Sequence, residues 1–367
     1  MEAFISVEEL CDLMEQGKPV TVVDVRTTAD RGDWWIPGSR HVDAYVALKA
    51  GEEGLLCSVD LPVETPVVTV CGVGKTAALA TQHLRARGLH ALTLAGGMRA
   101  WSLAWNIAEV ELPGAPARIV QIRRTGKGCL SYLVGSEGEA VAIDPSVDSK
   151  VYIAEAARRR WRITQVLETH VHADHVSRAR QLAELTGATL LLPAQNRVQF
   201  GHGPVYEGDE MNVGATSLTA LRTPGHTSES TCYVVDGAVF TGDTLFLAAV
   251  GRPDLGGASG DASGRATELF RSLRRLLALP ATTIVLPGHA SQPIAFDRIP
   301  VAADLAQVGI RLESLVRDEA DFVANVLQRL PAPPPNHTTI VGINELGSWP
   351  EGDLADLEAG GNRCAVA

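Results

Sequence analysis

The sequence predicts an α/β chain of two units, and three observations predict it. Short β-branched runs alternate with helix-like segments over roughly the first hundred residues, the pattern of a small sheet with crossover helices. The stretch Glu111-Leu112-Pro113-Gly114-Ala115-Pro116 then interrupts the pattern as a linker would. Beyond it, strand-like runs end in turns that carry histidine or aspartate.

In the first unit, the runs at 20–25 and 66–70 are strands. The second leads into Cys71-Gly72-Val73-Gly74-Lys75-Thr76, after which Ala77 to Arg87 reads as a helix stopped by Gly88. Ala91 to Leu94 is a further strand, entering Gly96-Gly97-Met98-Arg99-Ala100-Trp101 and another helix. A glycine-rich turn, a helix N-terminus and Lys75 together favour an anionic sulfur on Cys71. The loop also resembles the end of a P-loop, but the glycine that should open such a loop falls on Thr69.

In the second unit, 119–122, 130–134 and 140–143 are short strands, with Gly135-Ser136-Glu137-Gly138 turning between the last two. The strand 163–167 delivers Thr169-His170-Val171-His172-Ala173-Asp174-His175, and a helix is expected over 176–186, ending at Gly187. His226 follows in Thr223-Pro224-Gly225-His226. Asp236-Gly237 marks a two-residue hairpin between 231–235 and 238–240, just before Asp243. A strand at 284–286 delivers His289, while Tyr233 reads as core. Seven ligand-type side chains in this order, in a chain with ten histidines, argue for a metal site over unrelated surface residues. Imidazole with carboxylate suits zinc or non-heme iron.

Composition sets limits on function. With 367 residues, 46% of them hydrophobic and 20% charged, the chain is long enough for two or three cores at roughly 150 residues each. A net charge of -11 argues against a nucleic-acid partner. No apolar run reaches the roughly 18 residues of a membrane span, so none is expected. Without a basic, apolar leader after Met1, the six cysteines read as reduced thiols of a cytoplasmic protein.

Two resemblances follow from these motifs. Val23-Asp24-Val25-Arg26, Trp35-Ile36-Pro37-Gly38-Ser39, the Cys71 loop and Leu94 to Trp101 resemble the rhodanese family over residues 1–112. This implies that Cys71 carries a sulfane sulfur as a persulfide, with Asp24, Arg26, Gly72, Gly74, Lys75 and Thr76 about the sulfur donor. Arg often stands in that family in place of Gly72 and Thr76, which leaves donor preference open. The His-x-His-x-Asp-His series with His226, Asp243 and His289 resembles the metallo-β-lactamase superfamily, implying a four-layer αββα sandwich over 118–345 after a linker at 113–117. Residues 346–367, rich in Gly and Pro, read as a loosely ordered tail in which Cys364 has no evident role. Gly256 to Gly264 reads as a flexible loop or spacer.

The branch is suggested by further segments. Thr241-Gly242-Asp243-Thr244-Leu245-Phe246, Gly251-Arg252-Pro253-Asp254 and the segment from Leu330-Pro331 to Asn344 resemble persulfide dioxygenases. That resemblance implies one iron(II) per chain on His170, His226 and Asp243, with His172, Asp174, His175 and His289 as an unfilled second set. It further implies oxidation of a persulfide, glutathione persulfide first among them, by O2 to sulfite and thiol. Arg252 is the candidate anchor for substrate carboxylates, thiosulfate or sulfite is the partner of Cys71, and a homodimer is common among such enzymes. The alternative is a di-zinc hydrolase of glutathione thioesters, because the ligand residues alone serve both.

Overall fold

The computed structural model describes residues 4–255 and 261–366. Its first unit is a five-stranded, wholly parallel sheet in the order Phe4–Ile5, Ala91–Leu94, Val67–Val70, Thr21–Asp24, Arg40–His41. Parallel strands are buried on both faces, which is why Val67, Val68 and Val70 are all buried and the one polar residue among them, Thr69, satisfies its hydroxyl inside the protein on Ala77 and Thr81. Helix Lys75–Ala86 packs Ala77, Ala80 and Leu84 on one face, while Leu10, Ile36 and Trp101 belong to the core on the other.

The second unit is built on two large sheets. One has seven strands in the order Gly203–Val205, Thr189–Pro193, Arg162–Leu167, Glu139–Ile143, Cys129–Ser136, Arg118–Arg124, Asn106–Val110. The other has six, in the order Glu210–Val213, Thr216–Arg222, Thr231–Val235, Ala238–Gly242, Ile284–Pro287, Ala303–Asp304. Strand alternation splits their side chains. Ile119, Leu130, Tyr132 and Val134 join Leu218, Tyr233, Phe240 and Leu286 in one core between the sheets. Val120, Ile122 and Leu133 turn outward to Tyr152 and Leu182 of helices Ser149–Arg158 and Ala179–Thr186. Val239 and Val285 turn outward to Leu269, Val308 and Phe322 of three other helices. Helices therefore cover both outer faces, as the αββα expectation requires. The pairs Glu137-Gly138 (φ 46° and 84°) and Asp236-Gly237 (φ 44° and 86°) take the left-handed conformation of tight hairpins.

Three expectations change. Glu111 to Pro116 is not a spacer between units: Asn106–Val110 pairs antiparallel with Arg118–Arg124, so the stretch closes a hairpin inside the second unit. The C-terminal residues are not loose either. Helix Leu354–Glu358 and strand Ala365–Val366, paired with Val250–Gly251, pack against the body. Glu358, fully buried, supplies the counter-charge for Arg124 (2.7 Å) and Arg178 (3.2 Å). Of the glycine-rich stretch, 256–260 lies outside the described residues, and Ala262 already opens helix Ala262–Leu276.

The units meet along the C-terminal ends of the first sheet's strands. Trp34 Nε1 donates to the Thr125 carbonyl (3.0 Å), Arg124 Nε to the Ser102 carbonyl (2.8 Å) and Gly126 N to the Ala104 carbonyl (3.1 Å). A Cβ at Gly126 would collide with the Trp101 carbonyl, so only glycine fits there. The C-terminal segment joins the contact through Arg363 to Asp33 (2.9 Å) and Arg99 to Asp353 (2.6 Å).

Candidate metal centre and sulfur site

Each ligand-type residue sits just past the end of a strand of one of the two sheets, so both sheets deliver side chains to one rim. Arg162–Leu167 leads to His170, Thr216–Arg222 to His226, Ala238–Gly242 to Asp243 and Ile284–Pro287 to His289. Gly288 lets the last strand press against Asp243; a Cβ there would lie 2.7 Å from Oδ1. All seven residues are buried, 1–4% exposed.

His170, His226 and Asp243 come together, one donor atom from each within 4.8 Å of the others. The His170 Nε2 and Asp243 Oδ2 atoms are buried and have no hydrogen-bond partner. His226 Nε2 lies 3.7 Å from Asp243 Oδ2, and His170 Nε2 3.9 Å. Neighbouring groups settle which nitrogen of each ring is bare. The Thr169 hydroxyl donates to Asp144 Oδ2 (2.7 Å) and so receives a proton from His170 Nδ1 (2.9 Å). His226 Nδ1 donates to the Arg252 carbonyl at 2.7 Å. Both rings therefore direct Nδ1 to its partner and turn Nε2 inward, the orientation that ligating imidazoles take from such partners. Burial, with His172 and His226 adding to it, pushes His170 well below the ordinary imidazole value and keeps it neutral. Orphaned imidazole and carboxylate donors of this kind fit a single divalent cation.

The expected second set comes together only in part. Asp174, His175 and His289 cluster with Cys129, which the sequence reading did not assign. They are bonded to one another: His289 Nδ1 to Asp243 Oδ1 (2.6 Å), His289 Nε2 to Asp174 Oδ2 (2.9 Å) and His175 Nδ1 to Asp174 Oδ1 (3.0 Å). Burial opposes charge on His289, but Asp243 and Asp174 outweigh it and raise the ring well above its usual value. Cys129 donates to Asp174 (3.3 Å); burial and Asp174 hold its thiol up, yet His175 and His289 bring it down to about 7. His172 lies apart, its Nε2 between Glu168 (2.7 Å) and Asp144 (3.3 Å). Its Nδ1 and His175 Nε2 also lack partners. Tyr233 is core, as expected, its hydroxyl donating to the Glu168 carbonyl.

Cys364 is the other unforeseen residue: its thiol shares a 4.8 Å group with Asp243 and His289. Burial, with Asp243 and Asp174 adding, keeps this thiol protonated. Neither Cys129 nor Cys364 carries a spacing that could have revealed it. A cavity of 330 Å³ passes His170 and His172 and is bounded by Val198, Phe200, Asn344 and Trp349.

Arg252 does not fit the anchoring role given to it. Nε and Nη2 clamp Asp254 (2.7 and 2.8 Å), Nη1 donates to the Ala332 and Arg363 carbonyls, and Nη2 donates to Pro331. The five N–H donors of a guanidinium are thereby spent inside the protein, and the residue is 1% exposed.

In the first unit, Cys71 ends strand Val67–Val70 and is buried; Ala77 N donates to its sulfur at 3.3 Å. Gly74, at φ 88°, caps the helix that follows. Gly72 and Lys75 are exposed at the loop and Thr76 is buried beneath it. Met98 N and Arg99 N donate to the carbonyls of Cys71 and Gly72, so helix Gly97–Trp101 fixes the loop from behind. Asp24 and Arg26 are not free to meet a substrate. Arg26 Nε and Nη2 grip Asp24 (3.0 and 2.7 Å) and also hold the Trp34 carbonyl, while Arg31 adds a second bond to Asp24.

A two-sheet sandwich with histidine and aspartate donors on one rim, behind a parallel-sheet unit with a buried loop cysteine, defines a two-domain metalloprotein. Residues 124–289 match the Metallo-beta-lactamase superfamily and residues 6–104 the Rhodanese-like domain; the chain belongs to the metallo-β-lactamase superfamily and bears a rhodanese-like domain ahead of that fold. It is 36% identical to the hydroxyacylglutathione hydrolase of Methylococcus capsulatus over 52% of this chain and 74% of that one. It spans 57–74% of the length of seven hydroxyacylglutathione hydrolases from different bacteria, the Methylococcus capsulatus protein among them. The crystal structure of a metallo-beta-lactamase from Staphylococcus aureus aligns with a TM-score of 0.58 at 28% identity, covering 64% of this chain and 73% of that one. The crystal structure of ETHE1 from Myxococcus xanthus aligns with a TM-score of 0.51 at 30% identity, covering 58% and 92%.

Proposed function

We propose that the chain oxidises a low-molecular-weight persulfide, glutathione persulfide first among them, with O2 and water to sulfite and the free thiol. In this reading His170, His226 and Asp243 hold one iron(II), and Cys71 exchanges sulfane sulfur with thiosulfate or sulfite. Bound iron(II) supplies open positions where dioxygen and the substrate sulfur can meet.

The observation that carries the reading is the state of the two donor sets. The first leaves buried atoms of His170 and Asp243 unpartnered; in the second, His172 Nδ1 and His175 Nε2 are bare too, but His289 spends both ring nitrogens on Asp243 and Asp174 and His172 lies apart between Glu168 and Asp144. A second metal on His289 needs one of those bonds broken and one nitrogen stripped of its proton. The chain's own residues prepare the single site: Thr169 and the Arg252 carbonyl fix the two imidazoles, and His289 holds Asp243 Oδ1 so that Oδ2 faces inward. The cavity at His170 has the volume of a small-molecule pocket and offers room for the organic part of a thiol. The rhodanese-like domain supports sulfur chemistry, since a carrier of sulfane sulfur joined to its oxidation site makes one sequence of steps.

The names of the hydroxyacylglutathione hydrolase relatives support a second reading, hydrolysis of glutathione thioesters, in which the same ligand residues would hold two zinc ions. One experiment separates the two: oxygen uptake by iron(II)-loaded protein given glutathione persulfide, with metal content measured on the same sample. Uptake with sulfite formation and one iron per chain is expected. Two zinc ions and thioester turnover without uptake would establish the hydrolase instead. Cys71→Ser is expected to abolish sulfur transfer from thiosulfate.

A further inference from the structure

Building on that reading, we propose that Cys364 is a second sulfur-carrying residue, which takes the outer sulfur of a Cys71 persulfide and presents it at the His170, His226 and Asp243 site. The first support is position. The Cys364 thiol is 1% exposed and lies within 4.8 Å of donor atoms of Asp243 and His289. Asp243 also belongs to the group with His170 and His226, in which Asp243 Oδ2 and His170 Nε2 are buried without partners, so the thiol adjoins the donor set left open to a ligand.

The second support is how the segment is held. Strand Ala365–Val366 pairs with Val250–Gly251, and Arg252 N donates to the Cys364 carbonyl at 2.9 Å. The Arg252 carbonyl in turn receives His226 Nδ1, so the residue that seats Cys364 also orients a metal-site imidazole. The same segment reaches the sulfur domain. Arg363 binds Asp33 (2.9 Å), Asp353 binds Arg99 (2.6 Å), and Arg99 N donates to the Gly72 carbonyl next to Cys71 (2.9 Å). One stretch of chain thus holds Arg99, which is itself bonded to the loop of the first thiol, and carries the second thiol to the metal rim.

Cys129, the other thiol at that rim, begins an eight-residue strand inside the seven-stranded sheet and is bonded to Asp174. Cys364 precedes a strand of two residues, so lifting it requires only that short ladder, the Arg252 bonds to the Cys364 and Arg363 carbonyls and the Arg363 to Asp33 pair to open. Cys71 is also buried, 2% exposed, so the transfer takes place with the segment lifted from Val250–Gly251.

The chemistry balances. Lifted away from Asp243 and Asp174, the Cys364 thiol gives its proton to solvent and attacks the outer sulfur of the Cys71 persulfide; a new S–S bond forms on Cys364, the old one breaks, and Cys71 leaves as thiolate with no net oxidation. With the segment seated again, the Cys364 persulfide anion, O2 and water give the Cys364 thiolate, sulfite and two protons. The sulfane sulfur is oxidised and dioxygen reduced.

Full-length metal-free protein, charged without oxygen using thiosulfate labelled in its sulfane sulfur, then alkylated and digested, tests the relay by mass spectrometry. Label is expected on the Cys71 and Cys364 peptides of the native protein, on neither in Cys71→Ser, and on Cys71 alone in Cys364→Ala. Label absent from Cys364 in the native protein, or present there undiminished in Cys71→Ser, overturns the proposal. Because the assay uses neither metal nor O2, it is independent of the dioxygenase reading. Label on Cys364 without oxygen uptake by the iron-loaded protein upholds the relay and sinks that reading; uptake of oxygen with no label on Cys364 does the reverse.

Discussion

His226 and Arg252 are joined by a 2.7 Å hydrogen bond from the imidazole Nδ1 to the arginine's own carbonyl, while the guanidinium of that arginine is enclosed by Asp254 and three backbone carbonyls. In the proposed metal centre the side chain therefore acts by fixing a backbone oxygen that orients His226. Arg252→Met leaves Asp254 and three carbonyls short of their donor. It should lower unfolding stability by about 3–5 kcal/mol, the cost of breaking a buried ion pair. Chemical denaturation measures this, and chelator competition should show weaker metal binding in the same variant. A stability change under 1 kcal/mol would return Arg252 to the list of substrate contacts, by the usual size of exposed pairs.

Thr169 passes the hold of Asp144 to His170 through a hydroxyl. Thr169→Val keeps the shape and removes the link. Metal affinity is expected to fall by about 10- to 100-fold, as when other outer partners of ligating histidines are removed. Thr169→Ser should restore most of it, and equal affinity in all three proteins would show that the hydroxyl plays no part.

Asp174 is engaged by His289, His175 and Cys129. If the centre holds one metal on the other set, Asp174→Asn retains the native metal content, whereas Asp243→Ala loses it. Elemental analysis after gel filtration decides; a fall from two metals to one in Asp174→Asn would refute the single-metal assignment.

Glu358 gives a pH signature. Burial raises its carboxyl, but Arg124 and Arg178 outweigh burial and lower it from 4.5 to about 2. A depressed folded-state value means that the stabilisation is complete above about 4.5 and is lost as pH falls toward 2. Glu358→Gln should cost about 3–5 kcal/mol at neutral pH by leaving two buried guanidinium groups uncompensated. Thermal melts of both proteins across pH should converge on acidification, and a constant gap would contradict the assignment.

The sandwich and its rim were legible because short apolar runs bounded by turns precede His170, Asp243 and His289, and Asp236-Gly237 sets a hairpin by local conformation alone; strand Thr216–Arg222, which leads to His226, carries too many polar residues to stand out. Cys129, Asp144 and Glu168 were not legible: their partnership with Asp174 and His172 arises from neighbouring strands and leaves no spacing. The C-terminal segment was misread for a related reason. Its glycines and prolines weaken local structure, and what orders it is the match of Glu358 to Arg124 and Arg178, groups some 180 to 230 positions away. Arg252, Asp24 and Arg26 were misjudged because a sequence shows which charges exist and not that neighbouring carbonyls and carboxylates have already claimed them.

The hairpin between Asn106–Val110 and Arg118–Arg124 bears on how this chain can be divided. A cut in the proline-rich stretch between these strands would strip the seven-stranded sheet of its last member, baring the ladder groups of Arg118–Arg124 as an aggregation-prone edge. The severed Asn106–Val110 would leave with the wrong fragment, an apolar ribbon with nothing to pair with. A cut before Asn106 keeps every ladder intact, though it uncovers the Trp101 and Trp34 contacts with Gly126 and Thr125.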